Sequence, residues 1–284
     1  MAATPRQVLQ QAGVRPASRL LVWAFLAVAR QRLRKGFRAV RTLHAERLSQ
    51  ARGPVIIYLN HPSWWDPLVC LATAHTLMPG RPSYAPISAV SLEKYGLFGY
   101  LGMFPVAQDS ARGAAQFLRG GHAVLASGAA LWVTAQGHFT DARVRPTMLK
   151  SGLGTLLARC DEVTVIPMAL EYTFWNQRLP EVLVAFGEPI RVHQAHQETS
   201  TEWTTLLANA LERTQDELAQ RAMQRDESRF TTLLQGGRGT AGFYGLWQRL
   251  RTRTRGEQWV PDHPASESMS RAGREPSRMD EDAQ

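Results

Sequence analysis

Cysteine is scarce. The 284 residues hold two, Cys70 and Cys160, too few for a disulfide framework, and both fall on segments expected to be helical. We read them as reduced, buried and structural, which suits a cytoplasmic setting. Long uncharged apolar runs are also missing. Leu20 to Ala29 counts only ten residues, whereas a helix crossing a bilayer needs roughly 20. Ala27-Val28-Ala29 imitates a signal-peptidase site, but the arginines directly behind it oppose export. No G-x-S-x-G and no P-loop occurs, so serine-hydrolase and nucleoside-triphosphate chemistry lack their motifs. No internal repeat is visible.

Acidic residues are rare at one end. Residues 1–60 hold eleven Arg or Lys against the single acid Glu46, a balance of +10. Residues 61–256 come to +3 and residues 257–284 to −4. A basic chain with a pI near 10.2 raises the question of nucleic acid, but no recognition motif accompanies the charge. The basic stretch is also apolar, and "LLVWAFLAVARQRLRKGFRAVRTL" reads as one helix. Leu26, Leu33, Phe37 and Val40 fall on one stripe, Arg30, Arg34, Arg38 and Arg41 on its flank, and Arg32 and Lys35 further round. With Trp23 and Phe25 at its apolar end, we expect an interfacial element on the cytoplasmic face of a membrane, attracted by anionic lipid.

Chemistry concentrates in "NHPSWWDP", Asn60 to Pro67, directly behind the apolar run Val55-Ile56-Ile57-Tyr58-Leu59. That run predicts a buried strand, and "PLVCLATAHTL" behind the octet predicts a helix, with Pro67 in its first turn and Asp66 as its N-cap. The octet is then a loop at the carboxyl end of a strand, where open α/β sheets place their sites. Five positions separate His61 from Asp66, about 140° in an uninterrupted helix. Because the helix starts only at Asp66, the loop can fold back and set the carboxylate against one imidazole nitrogen. The other nitrogen is left as a general base. This is two-thirds of a triad, without the nucleophile.

His-x4-Asp in this setting resembles the first motif of the glycerolipid acyltransferases, the family that includes the 1-acylglycerol-3-phosphate acyltransferases. Three further stretches come after it in order: "GLFGYLGMFPVAQDSARG" (Gly96 to Gly113), "LWVTAQGHFTDARVRP" (Leu131 to Pro146), and "VTVIPMALEY" with Pro167. They are similar to the family's second, third and fourth motifs. The resemblance implies that His61 activates the acceptor hydroxyl and Asp66 orients His61. The alcohol then attacks an acyl thioester directly, with acyl-CoA or acyl carrier protein as co-substrate and neither cofactor nor metal. This sequence departs from the pattern at three places. Gln108 and Phe139 stand where the second and third motifs carry arginine, and Gln136 stands where the third carries Glu. Arg112, Arg143 and Arg145 are the basic residues that could replace the lost phosphate partners, with Gln136 and Gly137 completing the expected acceptor site. Backbone N–H groups near Gly137 are candidates for holding the thioester oxyanion. A glycolipid acceptor, or a non-catalytic lipid-binding protein that keeps the fold, is the alternative these departures leave open.

The remaining elements alternate, which predicts an α/β fold with a largely parallel sheet flanked by helices. Strands are expected at 55–59, 83–88, 104–107, 130–135, 163–172 and 181–186, and helices at 67–77, 91–100, 113–127, 149–159 and 202–225. The chain then divides into a basic membrane-association segment (1–52), the acyltransferase-like domain (53–228), a glycine-rich joint with a basic helix (229–260) and a disordered tail (261–284). "GRGTAG" at 237–242 matches a dinucleotide fingerprint but lacks the strand–helix–strand unit that would use it. His193-x-x-His196 has metal spacing without a third strong ligand.

Overall fold

A computed structural model of the chain describes residues 3–193 and 198–237. Residues 3–175 and 179–237 form one unit. The expected joint at 238–242, the helix over 243–253, His196 and the tail lie outside the described residues.

Nine strands make one sheet: β1 (Ala39–Leu43), β2 (Val55–Leu59), β3 (Ser83–Ser88), β4 (Met103–Val106), β5 (Ala130–Thr134), β6 (Glu162–Thr173), β7 (Glu181–Phe186), β8 (Ile190–His193) and β9 (Thr231–Gln235). Their spatial order is β4-β3-β5-β2-β6-β7-β1-β9, with β8 beside the first half of β6. The run from β4 to β6 is parallel throughout. β7 is antiparallel to β6 but parallel to β1, and β9 returns antiparallel to β1. The fold is therefore α/β with a mostly parallel sheet, as the alternation of elements predicts.

Among the described residues eight helices cover the two faces: α1 (Pro5–Gln11), α2 (Arg19–Gly36), α3 (Ala45–Ser49), α4 (Asp66–Leu77), α5 (Ala89–Lys94), α6 (Ala111–Ala126), α7 (Gly152–Leu157) and α8 (Ser200–Gln224). β2 shows why both faces need covering. All five of its residues are buried. Ile56 and Tyr58 join Leu9, Val124, Leu156, Leu207 and Leu211 on one face. Val55, Ile57 and Leu59 join Leu33, Leu48 and Val69 on the other. A strand buried on both faces loses the apolar–polar alternation of a half-exposed one, so it reads as a continuous apolar run. Tyr58 fits because its hydroxyl donates to the carbonyl of Leu207 at 2.9 Å.

Three expectations need correction. The basic helix ends at Gly36, and Phe37 turns extended. The chain then enters β1, in which Val40 pairs with Val182 and Arg41 with Leu183. The stripe Leu26, Leu33, Phe37 and Val40 is thus buried in the protein's own core. Secondly, the sheet overruns the domain limits expected at 53 and 228, since β1 precedes the first and β9 lies beyond the second. Thirdly, the helix expected at 91–100 is α5 with a separate 3-10 turn behind it, Gly96–Leu101. Cys160 is buried, whereas Cys70 on α4 is partly exposed; both are free thiols.

Candidate active site

Three parallel strands deliver the site. β2 lies between β5 and β6, with Leu59 level with Thr134 on one side and Met168 on the other. The chain leaves β2 through Asn60, whose side chain is wholly buried. Its amide donates to the Leu170 carbonyl at 3.0 Å and accepts the Leu170 N–H at 2.8 Å. An amide has both a donor and an acceptor, so it can continue the β2–β6 ladder after the backbone has turned away. The turn is what presents His61.

His61 is held from three directions. Its Nδ1 lies 2.6 Å from Asp66 Oδ2, its backbone N–H donates to Gln136 Oε1 at 2.8 Å, and its carbonyl accepts the Thr140 N–H at 2.9 Å. The loop does fold back from His61 to Asp66 as the five-residue spacing allows. With Nδ1 engaged, Nε2 is the nitrogen without a protein partner among the described residues. The imidazole is 17 % exposed and the Asp66 side chain 1 %, so the carboxylate is buried and the imidazole accessible. No Ser, Cys or Thr side chain hydrogen-bonds the imidazole among the described residues.

Asp66 is not the helix cap. Trp65 occupies that position without a capping side chain, and Asp66 is the first residue of α4. The reason is that both carboxylate oxygens are already engaged. Oδ2 also accepts the Ser63 N–H at 3.2 Å, and Oδ1 accepts the Tyr172 hydroxyl at 2.6 Å. Tyr172 can reach because β6 continues past Met168, the partner of the last residue of β2, and Tyr172 lies four residues beyond it, about 13 Å at strand rise. Burial, and then the Asp66 charge, hold the Tyr172 phenol well above its ordinary value. It is therefore a proton donor to Asp66 and not a competing acid. Phe37 packs against this phenol, meeting Tyr172 at 5.6 Å and Trp65 at 4.9 Å between ring centroids.

The residues expected to bind the acceptor are spread differently. Gln136 is buried, and its carbonyl oxygen is taken by the His61 N–H; it keeps the base loop in place. Gly137 is next, with φ +73°, where a Cβ would meet the Lys150 side chain at 2.6 Å. Its N–H closes a turn onto the Thr134 carbonyl at 3.1 Å, so it is not a free oxyanion donor. Gln108 Nε2 reaches the Gly137 carbonyl at 3.4 Å. Arg143 is exposed and forks Asp141, with Nε at 2.9 Å and an Nη at 2.7 Å; its charge also opposes the upward pull of burial on the Glu171 carboxyl. Arg145 is tied to Asp216 of α8 at 2.6 Å and to the carbonyls of Ala142 and Val144. Arg112 is exposed on the first turn of α6. Sequence pattern alone does not single out Asn60 and Tyr172. A polar group at the carboxyl end of a mostly apolar strand is the only signal each of them leaves.

At the carboxyl mouth of the sheet a buried carboxylate thus holds a histidine, with no nucleophile hydrogen-bonded to its ring among the described residues. Residues 40–171 match the model of the family described as Acyltransferase. The match covers less than half of the 284 residues, so it is this stretch that is similar to an acyltransferase domain. The fold is similar to the crystal structure of the 1-acyl-sn-glycerophosphate (LPA) acyltransferase PlsC from Thermotoga maritima. The TM-score is 0.51 at 16% sequence identity, with 76% of this chain and 81% of that one covered. No curated protein matches this chain in sequence.

Proposed function

We propose that the protein moves a fatty acyl group from acyl-CoA or acyl carrier protein to a hydroxyl of a lysophospholipid or related lipid acceptor. The observation that carries this reading is the His61–Asp66 pair at 2.6 Å, with no enzyme nucleophile bonded to it. His61 Nε2 takes the proton of the acceptor hydroxyl as its oxygen attacks the thioester carbonyl. The tetrahedral intermediate collapses with breakage of the C–S bond, and the imidazolium returns the proton to the departing thiolate. Asp66 stays ionised throughout, fixes the tautomer and stabilises the imidazolium. His61→Ala is expected to lower kcat by at least about 10²-fold with little change in Tm. Asp66→Asn is expected to lower it severely as well, because the amide would present the wrong hydrogen-bonding partner to Nδ1. CoA release by purified His61→Ala at the wild-type rate would exclude the mechanism.

The acceptor is a lipid, and α2 is the element we assign to membrane contact. Among the described residues no helix is long and apolar enough to cross a membrane. The face of α2 that the core does not use bears Leu20, Trp23 and Val28, which are 74 %, 65 % and 48 % exposed. Exposed Arg32, Arg34 and Lys35 lie toward its C-terminal end. Apolar area combined with basic charge suits peripheral binding to anionic lipid.

A further inference from the structure

Granted acyl transfer by His61, we infer that Phe139 makes the acceptor side of the site select a hydroxyl with no phosphate beside it. The ring of Phe139 lies over the His61 imidazole, with centroids 4.3 Å apart and planes tilted by 36°, and it is 61 % exposed. That placement is built in: the next residue, Thr140, donates its N–H to the His61 carbonyl at 2.9 Å, so loop and base move together. A phosphate on the carbon next to the reacting hydroxyl has its phosphorus four bonds from that oxygen, roughly 4–5 Å away given ordinary bond lengths. On the Phe139 side it would meet the electron-rich face of an aromatic ring.

The nearby cations do not offset this. Arg143 is engaged by Asp141, Arg145 by Asp216, and Lys150 by Asp109 at 2.7 Å. Of these loop cations and Arg112, only Arg112 carries no carboxylate partner among the described residues. Trp64 adds a second exposed aromatic surface on the His61–Asp66 loop, 62 % exposed and stacked on Trp65 at 4.4 Å. An uncharged acceptor suits such walls: either the glycerol carbons of a neutral lipid or the C–H face of a sugar can lie on them while the hydroxyl reaches Nε2.

The test offers oleoyl-CoA and oleoyl-acyl carrier protein as donors, and three acceptors in detergent micelles: monooleoylglycerol, a monoacyl galactosylglycerol and oleoyl lysophosphatidate. The quantity read is the ratio of kcat/KM for each uncharged acceptor to that for lysophosphatidate, so partial misfolding of a variant cancels. For the wild type at least one ratio is expected at about tenfold or more, the scale of one charged hydrogen bond. Phe139→Arg is expected to bring the ratio down by a similar factor, and Phe139→Leu to hold it. Preference of the wild type for lysophosphatidate, or a ratio that Phe139→Arg does not move, overturns the assignment while leaving acyl transfer intact. Absence of His61-dependent thioester cleavage with every donor and acceptor overturns the function itself, and the inference with it. The identity of the preferred uncharged acceptor separates a neutral glyceride from a glycolipid.

Discussion

A carboxylate orients an imidazole well only if its second oxygen is also held; otherwise rotation about the Cβ–Cγ bond trades one oxygen for the other. In this protein the Tyr172 hydroxyl supplies that hold at 2.6 Å from Asp66 Oδ1, in a site where the carboxylate is almost fully buried. Tyr172→Phe would leave the buried oxygen unsatisfied, at a cost of about 1–3 kcal/mol. The expected outcome is a fall in kcat of roughly tenfold or more, with KM for both substrates nearly unchanged, measured by steady-state kinetics beside a thermal melt. A lowered Tm with unaltered kcat would make Tyr172 a packing residue. Tyr172 lies one position beyond the stretch that matches the acyltransferase family. The motif carrying His61 and Asp66 can be read from eight consecutive residues. The tyrosine cannot, because the bond spans 106 positions and depends on how far β6 overshoots β2.

The same contrast holds among elements. The strands at 55–59, 83–88 and 181–186 form where they are predicted, and the first and last, buried at every position, announce themselves without any partner. β1 is illegible for the opposite reason. Its central residue, Arg41, is 3 % exposed, and local pattern places arginine outside. The charge is tolerated only because Glu181 lies 3.1 Å away, on a strand 140 residues later. A helical stripe drawn through Leu33, Phe37 and Val40 therefore crosses a real break at Gly36. It also assigns to lipid the residues that the core uses. The two faces of α2 make different predictions. Leu20→Glu with Trp23→Glu should release the protein from anionic vesicles in sedimentation assays with little change in Tm. Leu33→Ala should instead cost about 2–5 kcal/mol of stability and leave vesicle binding of the folded protein unchanged.

For the molecule as a whole, the buried ionic cluster joins distant parts of the sheet. Arg41 on β1 donates to Glu181 on β7, to Glu227 before β9 at 2.5 Å, and to Thr232 on β9 at 3.1 Å. Burial pushes the Glu181 carboxyl above its ordinary value, and Arg41 works against that push. Arg41→Met would strand a buried carboxylate and is expected to cost about 3–5 kcal/mol in urea unfolding. Replacing Glu181 with Leu in the same chain should recover part of it. The pH dependence has a definite sign. A carboxyl whose folded value is raised contributes stability that is fully present below its unfolded value and lost as pH rises through the folded one. The deficit of Arg41→Met relative to wild type should therefore shrink as pH is lowered from neutrality toward the ordinary carboxyl value of 4.5.

β1 sits between β7 and β9, two strands that the ribosome makes long after it. At a synthesis rate of about 5–20 residues per second, β7 trails β1 by roughly 7–28 s, and β9 emerges later still. Throughout that interval Val40 and Leu43 have made no sheet contact, and Arg41 has not met its carboxylates. Among these three, the first strand made is thus bound only after its later neighbours exist. The stretch 40–171 that matches the family contains β1 from Val40 onward but neither of its partners. Expressed alone, that stretch should retain an unpaired apolar strand and aggregate, whereas a chain extended to residue 237 should remain monodisperse in light scattering.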